Sequence, residues 1–285
     1  MKLSRKIGLS SGGALALALF AGTAAPAMAD FAYTDFVSAA GLSFNGAAVH
    51  TAPTISVTPP IRASAGAVWR QDAQTVVNGF VSNFTFRIGD ISNLGSDGFA
   101  FVIQNDTRGN AAIGGTGGAM GYATNTVFPS QTGISNGLAI EFDAWDNTGD
   151  WSDFNSAHHV SVQSMGQLTM IPSASSSLGG IATPTDFADN TSHNVRIVYV
   201  PGTLEVYLDS VVTPLLSVSV NLGSLLSIPS GNAFVGFTAG TGAQINAERH
   251  SILAWDFATT QVPGPATASL IVAGSMVLIR RRRRN

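Results

Sequence analysis

The chain has 285 residues, no cysteine, and a charged fraction of 11%, against about 25% in ordinary soluble domains. Eight of the fourteen basic residues lie in the first six or last six positions. The residues between these ends contain six arginines and all seventeen carboxylates, so this body has a net charge of −11. This acidic body excludes nucleic-acid binding through a basic face. The lack of cysteine excludes disulfides, cysteine zinc sites and thiol catalysis.

The N-terminal segment has the three parts of a secretory signal peptide. Three basic residues precede an apolar run over residues 14–21, and small residues at 27 and 29 flank Met28 to form a cleavage site. We therefore predict a signal peptide over residues 1–29. The mature chain would begin near Asp30 and be exported.

Residues 30–260 show the alternation of apolar and polar side chains that is typical of half-buried β-strands. In the segment 80–88, the phenylalanines and Ile88 fall in one phase, while Asn83, Thr85 and Arg87 fall in the other. Seven further segments alternate in the same way: 99–103, 138–142, 159–162, 195–200, 204–208, 234–237 and 252–257. Because turn residues rather than amphipathic helices separate these strands, we predict one all-β domain over residues 30–260, a sandwich of antiparallel sheets. A closed barrel is the alternative.

Carboxylates concentrate between residues 141 and 153. Glu141 and Asp143 are two residues apart on a predicted strand, so they share a face and repel each other unless a cation lies between them. The following loop adds an amide, further carboxylates and then a histidine. Ca2+ takes carboxylate, carbonyl and amide oxygens, and Mn2+ accepts carboxylates with one imidazole. The segment therefore predicts a metal site, with a solvated acidic turn as the alternative.

The C-terminal segment, residues 261–285, also has three parts. Val-Pro-Gly-Pro at 262–265 precedes fourteen uncharged residues, 266–279, and then five arginines. This order resembles the PEP-CTERM sorting signal of Gram-negative bacteria that produce exopolysaccharide, whose usual motif is Val-Pro-Glu-Pro. The resemblance implies processing by an exosortase-type protease. The chain would be held at the inner membrane by the apolar run and then reach the cell surface or extracellular matrix; a plain C-terminal anchor is the alternative.

The acidic segment carries a second resemblance. Leu-Ala-Ile-Glu-Phe-Asp-Ala-Trp-Asp-Asn at 138–147, followed by His-Val-Ser-Val at 159–162, is similar to the metal-binding signature of the legume-type (L-type) lectins. Supporting segments occur in the family's order at 96–103, 117–121, 235–242 and 250–257. The resemblance covers residues 31–257. It implies a concanavalin-like jelly-roll sandwich, paired calcium and manganese ions and a shallow sugar site, without catalytic activity.

The resemblance implies a set of metal ligands. They are Glu141, Asp143, Trp145 through its carbonyl, Asn147, His159, and one of Asp150 and Asp153. Glu141 would bind Mn2+, Asp143 would bridge both ions, and Asn147 would bind Ca2+. His159 is preferred over His158, because it leads into the following strand in the phase that turns the valines inward. The choice between Asp150 and Asp153 stays open.

The resemblance also implies a set of carbohydrate-binding residues: Asp97, Gly118, Trp145, Asn147, Gly242 and Ala243. Asp97 would accept hydrogen bonds from two sugar hydroxyls, and the peptide bond before it is cis in the family. The Gly118 backbone and the Asn147 amide would donate hydrogen bonds, and Trp145 would offer an apolar ring face. Specificity in the family depends on the loop after Gly240.

Two other functions are compatible with the sequence. The run from Glu141 to Asp146 is similar to the Glu-x-Asp-x-x-Glu strand of the family-16 glycoside hydrolases, but Asp146 is a shorter acid at the last position. A structural matrix protein that no longer binds sugar is the other alternative. We predict a secreted or surface-tethered, calcium-dependent lectin that binds cell-surface or extracellular polysaccharide. Its oligomeric state is left open.

Overall fold

The computed structural model describes residues 30–92, 95–128, 130–147, 156, 158–242 and 247–260. The predicted signal peptide and C-terminal tail lie outside the described residues, as do three residues predicted for the site: Asp150, Asp153 and Ala243. The predictions for these segments and residues stay predictions. Within the described residues, no helix has the length and apolar character needed to cross a membrane.

The described residues form two antiparallel β-sheets. In spatial order, sheet A contains β14 (Leu216–Val218), β13 (Thr203–Leu208), β12 (His193–Val200), β7 (Phe80–Ser92), β16 (Ala247–Thr259), β4 (Thr54–Thr58) and β3 (Val49–Thr51), with β1 (Phe31–Tyr33) also paired to β16. Sheet B contains β11 (Ser177–Ala182), β10 (His159–Ser164), β9 (Gly137–Asp143), β8 (Gly98–Gln104), β15 (Asn232–Gly240), β5 (Ala65–Arg70) and β2 (Leu42–Gly46), with β6 (Gln74–Thr75) paired to β15. The helical elements of the described residues are α1 (Leu222–Leu225) and 3-10 turns at Gly109–Ala111, Gly117–Ala119 and Ala174–Ser176. The predicted antiparallel sandwich is confirmed, and the barrel alternative is wrong.

The two sheets pack face to face through an aromatic core. The ring centroids of Phe99 and Phe142 lie 5.0 Å apart in sheet B, and Phe86 of sheet A lies 4.7 Å from Phe99. Phe84 of sheet A meets Phe237 of sheet B edge to face at 5.0 Å. Each buried aromatic ring removes about 150–250 Å² of surface from water, so these contacts supply much of the cohesion between the sheets.

The outer faces of the two sheets differ. In β12 of sheet A, buried residues alternate with exposed or half-buried ones, as expected for a strand with one face in water. In β8 and β9 of sheet B every residue is buried, so both faces of these strands are covered. The outward residues of sheet B therefore pack against another part of the chain.

The long connection between β8 and β9, residues 105–136, covers the outer face of sheet B. Its residues Met120, Tyr122 and Ile134 form a second apolar cluster with Trp69 and Val102 of the sheet. The Trp69 indole nitrogen donates to the carbonyl of Ala112 in this connection, at 2.8 Å. This packing places the glycine-rich stretch, which contains the Gly117–Ala119 turn, over sheet B.

An ion pair between Asp106 and Arg108, at the start of this connection, is hydrogen-bonded to its other end. The Asp106 carboxylate accepts hydrogen bonds from Arg108 Nε at 2.8 Å and from the Ser135 backbone N–H at 2.7 Å. Arg108 in turn donates to the carbonyls of Ile113, at 2.9 Å, and Gly133, at 2.8 Å. Burial alone would raise the pKa of Asp106, but the hydrogen bonds from Arg108 and Ser135 outweigh it and hold this pKa well below its usual range.

We expect Asp106→Asn to lower the free energy of unfolding by about 1.5–3 kcal/mol at neutral pH, because charged hydrogen bonds are lost. A carboxylate with a depressed folded pKa stabilises the fold above its unfolded pKa of about 3.9 and loses this effect as the pH falls through the folded pKa. Denaturant unfolding of both proteins should therefore show a difference in the free energy of unfolding that is constant from pH 7 to 5. This difference should shrink in stronger acid. The exposed Asp72→Asn is the matched control; a loss of stability as large in this control would contradict the prediction.

Candidate functional site

Four strand ends of sheet B meet at one edge. Asp143, the last residue of β9, lies opposite Gly98 of β8 on one side and His159 of β10 on the other. Gly98 is also paired with Gly240, the last residue of β15. Asp97 directly precedes β8, so the register brings it beside the acidic segment. The structure therefore places together predicted site residues that are far apart in the sequence.

Asp97 is held by its backbone and by one carboxylate oxygen. The Ser96–Asp97 peptide bond is cis, as the lectin resemblance implied. The Asp97 N–H donates to the Gly240 carbonyl at 3.1 Å, and the Asp97 carbonyl accepts from the Ala144 N–H at 2.8 Å. On the side chain, Oδ1 accepts from Asn147 Nδ2 at 3.2 Å. The Asp97 segment is thus fixed between β15 and the end of β9.

The second carboxylate oxygen of Asp97, Oδ2, differs from Oδ1 in its hydrogen bonding. Asp97 is only 3% exposed, and its Oδ2 is buried without a hydrogen-bond partner among the described residues. A β-carbon placed on Gly117 would lie 3.8 Å from this oxygen. The predicted Gly118 follows in the same turn and is half-buried. An acceptor atom therefore lies beside a glycine turn that leaves room for a close approach.

Burial also changes the electrostatics of this edge. Removal from water raises the pKa of Asp97 to about 6; the Asn147 hydrogen bond opposes this shift and the charge of Glu248 adds to it. Burial lowers the pKa of His159 to about 4, so its imidazole is neutral at pH 7, the form that binds metal ions. His158 instead lies 3.5 Å from the Asp186 carboxylate.

Oxygen donors suited to calcium lie next to Asp97. The Asn147 amide nitrogen donates to Asp97, so the amide oxygen points away from Asp97. Asp143 Oδ1 accepts from the Trp145 N–H at 2.8 Å, so the carboxylate sits over the start of the acidic loop. Carboxylate and amide oxygens are the ligands that Ca2+ prefers. The donor chemistry of Asp143 and Asn147 fits this ion.

Glu141 is buried and accepts hydrogen bonds from two hydroxyl groups. Glu141 is 3% exposed, and its two oxygens accept hydrogen bonds from the Tyr122 and Ser161 hydroxyls. The part of the chain that the structure describes holds no group of three or more histidine and acidic side chains arranged for a metal ion. The manganese site stays a prediction.

The remaining predicted residues lie around the same edge. Trp145 is half-buried, and Gly242 donates its N–H to Ser96 Oγ at 3.2 Å. Sequence reasoning missed Tyr122, whose hydroxyl reaches Glu141. It lies in a glycine-rich stretch without strand alternation, so no local pattern indicated this contact.

The described residues thus form a two-sheet jelly-roll sandwich with acidic and glycine-rich loops at the strand ends of one sheet. Residues 28–271 match the legume lectin domain. The chain therefore belongs to the legume lectin domain family.

Curated relatives include plant lectins. The chain is 35% identical to a lectin of Bauhinia forficata over 130 residues, 43% of this chain and 54% of that protein. It is 26% identical to a lectin of Glycine max over 197 residues, 67% of this chain and 60% of that protein. The chain thus spans little more than half the length of these relatives.

Two solved structures share the fold. The Bauhinia forficata lectin in complex with GalNAc has a TM-score of 0.63 at 24% identity, covering 81% of this chain and 97% of that one. The exoplasmic/lumenal domain of VIP36 in its Ca2+/Man3GlcNAc-bound form has a TM-score of 0.62 at 19% identity, covering 83% and 92%. At these identities the likeness establishes the fold.

Proposed function

We propose that the protein is a calcium-dependent lectin that holds a sugar between Asp97 and the Gly117–Ala119 turn. The observation that supports this most directly is Asp97 Oδ2, a buried acceptor beside that turn with no partner among the described residues. A buried polar atom without a hydrogen bond costs about 1–3 kcal/mol. A sugar hydroxyl would supply the missing donor.

The other residues would act around the same sugar. The Gly118 backbone N–H and the Asn147 amide would donate hydrogen bonds to it, and Trp145 would pack its ring against the C–H face. Gly242 and Ala243 would line the side formed by the loop after β15. Asp143, Asn147 and the Trp145 carbonyl would hold Ca2+, whose charge would fix the amide orientation and offset the neighbouring carboxylates.

The contacts of Glu141 favour binding over hydrolysis. A retaining glycosidase needs two carboxyl groups about 5–5.5 Å apart, one of which attacks the sugar. Glu141 is buried, and both its oxygens accept hydrogen bonds from hydroxyl groups. Its surroundings therefore support a structural role for this carboxylate rather than that of a nucleophile.

The proposal extends to location through the two ends of the chain. A signal peptide over residues 1–29 would export the sandwich. The tail over residues 261–285 would hold it outside the inner membrane until an exosortase-type protease acts. Cell-surface or extracellular polysaccharide would then be the accessible ligand.

A glycan array with the purified full chain tests the binding proposal. We expect binding in millimolar Ca2+, its loss on addition of a chelator, and its recovery when Ca2+ is restored in excess. N-acetylgalactosamine and mannose-containing glycans are the first probes, because two structures with the same fold contain GalNAc and Man3GlcNAc. Binding that persists through chelation would contradict the calcium dependence. An array without any positive glycan would contradict the lectin function.

A further inference from the structure

We infer that the outer face of sheet A carries a second saccharide site, a groove that binds an uncharged glycan chain without a metal ion. The groove encloses about 410 Å3, within the range of about 300–1,000 Å3 that is usual for small-ligand sites. Residues of β7, β12, β16 and the turn over 209–211 line it. The inference goes beyond the proposed function and does not depend on it.

A row of outward side chains crosses this groove. Arg196 of β12 is paired with Asn83 of β7, which is paired in turn with Asp256 of β16. Each of the three lies between buried neighbours on its own strand, so its side chain lies on the outer face. Neighbouring strands are about 4.8 Å apart, which places Arg196 and Asp256 about 10 Å apart. This span suits two linked saccharide units.

Hydrogen bonds orient the amides of the groove and leave groups for a ligand. Asn83 Nδ2 donates to Asp256 Oδ2 at 2.8 Å, so Oδ1 of each side chain is available as an acceptor. In the next row, Thr85 Oγ1 donates to Asn194 Oδ1 at 2.9 Å, so the Asn194 amide nitrogen is available as a donor. Side chains held in this way lose little conformational entropy when a ligand binds.

Arg196 provides the cation of the groove. It is exposed, and the arginine–carboxylate ion pairs of the described residues use Arg70, Arg108 and Arg249 instead. Its guanidinium therefore has N–H groups for a ligand, while Asp256 supplies the opposite charge in the same row. A groove with one cation and one carboxylate favours neither an anion nor a cation. It suits an uncharged ligand whose hydroxyls both donate and accept hydrogen bonds.

The turn beside the row adds an apolar surface. Val211 lines the groove and is 75% exposed, so it is free to pack against the C–H face of a pyranose ring. Asp209 in the same turn is engaged by the fold, because its Oδ1 accepts from the Asn194 N–H at 2.8 Å and its Oδ2 contacts His193 Nδ1 at 2.8 Å. Outward polar groups alone are ordinary on a solvated sheet. Their arrangement in a groove with an apolar wall indicates a glycan.

The groove is separate from the site at Asp97. Glu248, near the start of β16, lies close enough to Asp97 for its charge to raise the pKa of that carboxyl. Asp256 follows eight residues later on the same strand, which is about 25 Å at the usual rise per residue. One chain would therefore hold two glycan chains at once and cross-link polysaccharide without forming an oligomer.

Nuclear magnetic resonance titration of the full chain tests the inference, because each site has its own resonances. The probes are cellotetraose, laminaritetraose, mannotetraose and xylotetraose, in excess Ca2+. We expect at least one probe to shift the side-chain amide resonances of Asn83 and Asn194. The groove is open and no ion organises it, so its affinity for one glycan chain should be millimolar, which the washes of an array remove.

Three variants identify the groups involved. Arg196→Gln and Asp256→Asn each remove one charged contact, and each should weaken the groove affinity about fivefold. Arg87→Gln is the matched control, since it removes an arginine of β7 that does not line the groove, and its affinity should stay within twofold of wild type. The backbone resonances of the Gly117–Ala119 turn, which report on the Asp97 site, should be the same in all three variants as in the wild type.

The possible results separate this groove from the site at Asp97. If no probe shifts the Asn83 and Asn194 amides, or if neither groove variant weakens the shifts, the second site is wrong while the lectin function stands. Shifts that weaken as expected support the second site even if no glycan binds at Asp97. A wild-type dimer in sedimentation that Arg196→Gln dissociates would mean that this face packs on a second copy of the chain, which would overturn the groove.

Discussion

Asp97→Asn should weaken sugar binding by about ten- to a hundredfold. The Asp97 Oδ2 atom is a buried acceptor without a partner among the described residues, beside the Gly117–Ala119 turn. A charged hydrogen bond contributes about 1.5–3 kcal/mol, which corresponds to that range of affinity. The amide keeps the size of the side chain but replaces one acceptor oxygen with a donor. A sugar hydroxyl that donates to Asp97 would then meet an N–H group.

Calorimetric titration with the highest-scoring glycan of the array measures this loss, and calcium affinity is measured on the same samples. Calcium affinity should change little, because Asp97 is not among the proposed calcium ligands. Asp186→Asn is the matched control, since it removes one carboxylate charge at a half-exposed position, with 59% of the side chain accessible. Sugar binding by Asp97→Asn at the wild-type level would mean that this aspartate is only part of a turn.

Asp143→Asn should abolish the stabilisation that Ca2+ gives to the fold and, with it, sugar binding. Asp143 is 2% exposed and ends β9 between Gly98 and His159. An ion that binds only the native state stabilises it by about 2.7 kcal/mol at a hundred times its dissociation constant. Asparagine retains an oxygen for the Trp145 N–H, so the local turn persists while the negative charge is lost.

Melting temperatures with and without Ca2+ measure this effect for the wild type and the variant. We expect Ca2+ to raise the melting temperature of the wild type and to leave that of Asp143→Asn unchanged. The same Asp186→Asn control should respond as the wild type does. An equal rise in the Asp143 variant would remove this residue from the calcium site, and no rise in the wild type would contradict calcium binding itself.

Local alternation in the sequence predicted the central strands and the faces of their residues. The pattern from Phe80 to Ile88 became β7, and the valines at 160 and 162 lie in the core. Consequently His159 lies on the other face of sheet B, opposite Asp143. A period of two residues is set by the strand geometry of each segment alone, so it can be read without knowledge of the rest of the chain.

Weakly patterned strands were missed for a physical reason. The strands between residues 31 and 75 are two to six residues long, and β11 is exposed or half-buried throughout at the edge of sheet B. An edge strand that buries neither face fully needs no alternation of apolar residues. Their positions depend on pairing with neighbours that alternation does not identify.

The site itself was decided by tertiary structure. The lectin resemblance named Asp97 as a site residue. The carboxylate of Asp97 reaches the acidic loop because the next residue, Gly98, is paired with both Asp143 and Gly240. Likewise, the contact of Tyr122 with Glu141 requires the connection over residues 105–136 to pack on sheet B. Alternation reports which face a residue takes, whereas strand order and register depend on contacts between distant segments. The amino-acid sequence by itself thus determined the strands and the chemistry available at their ends, and the packing of the sheets decided which of those groups meet.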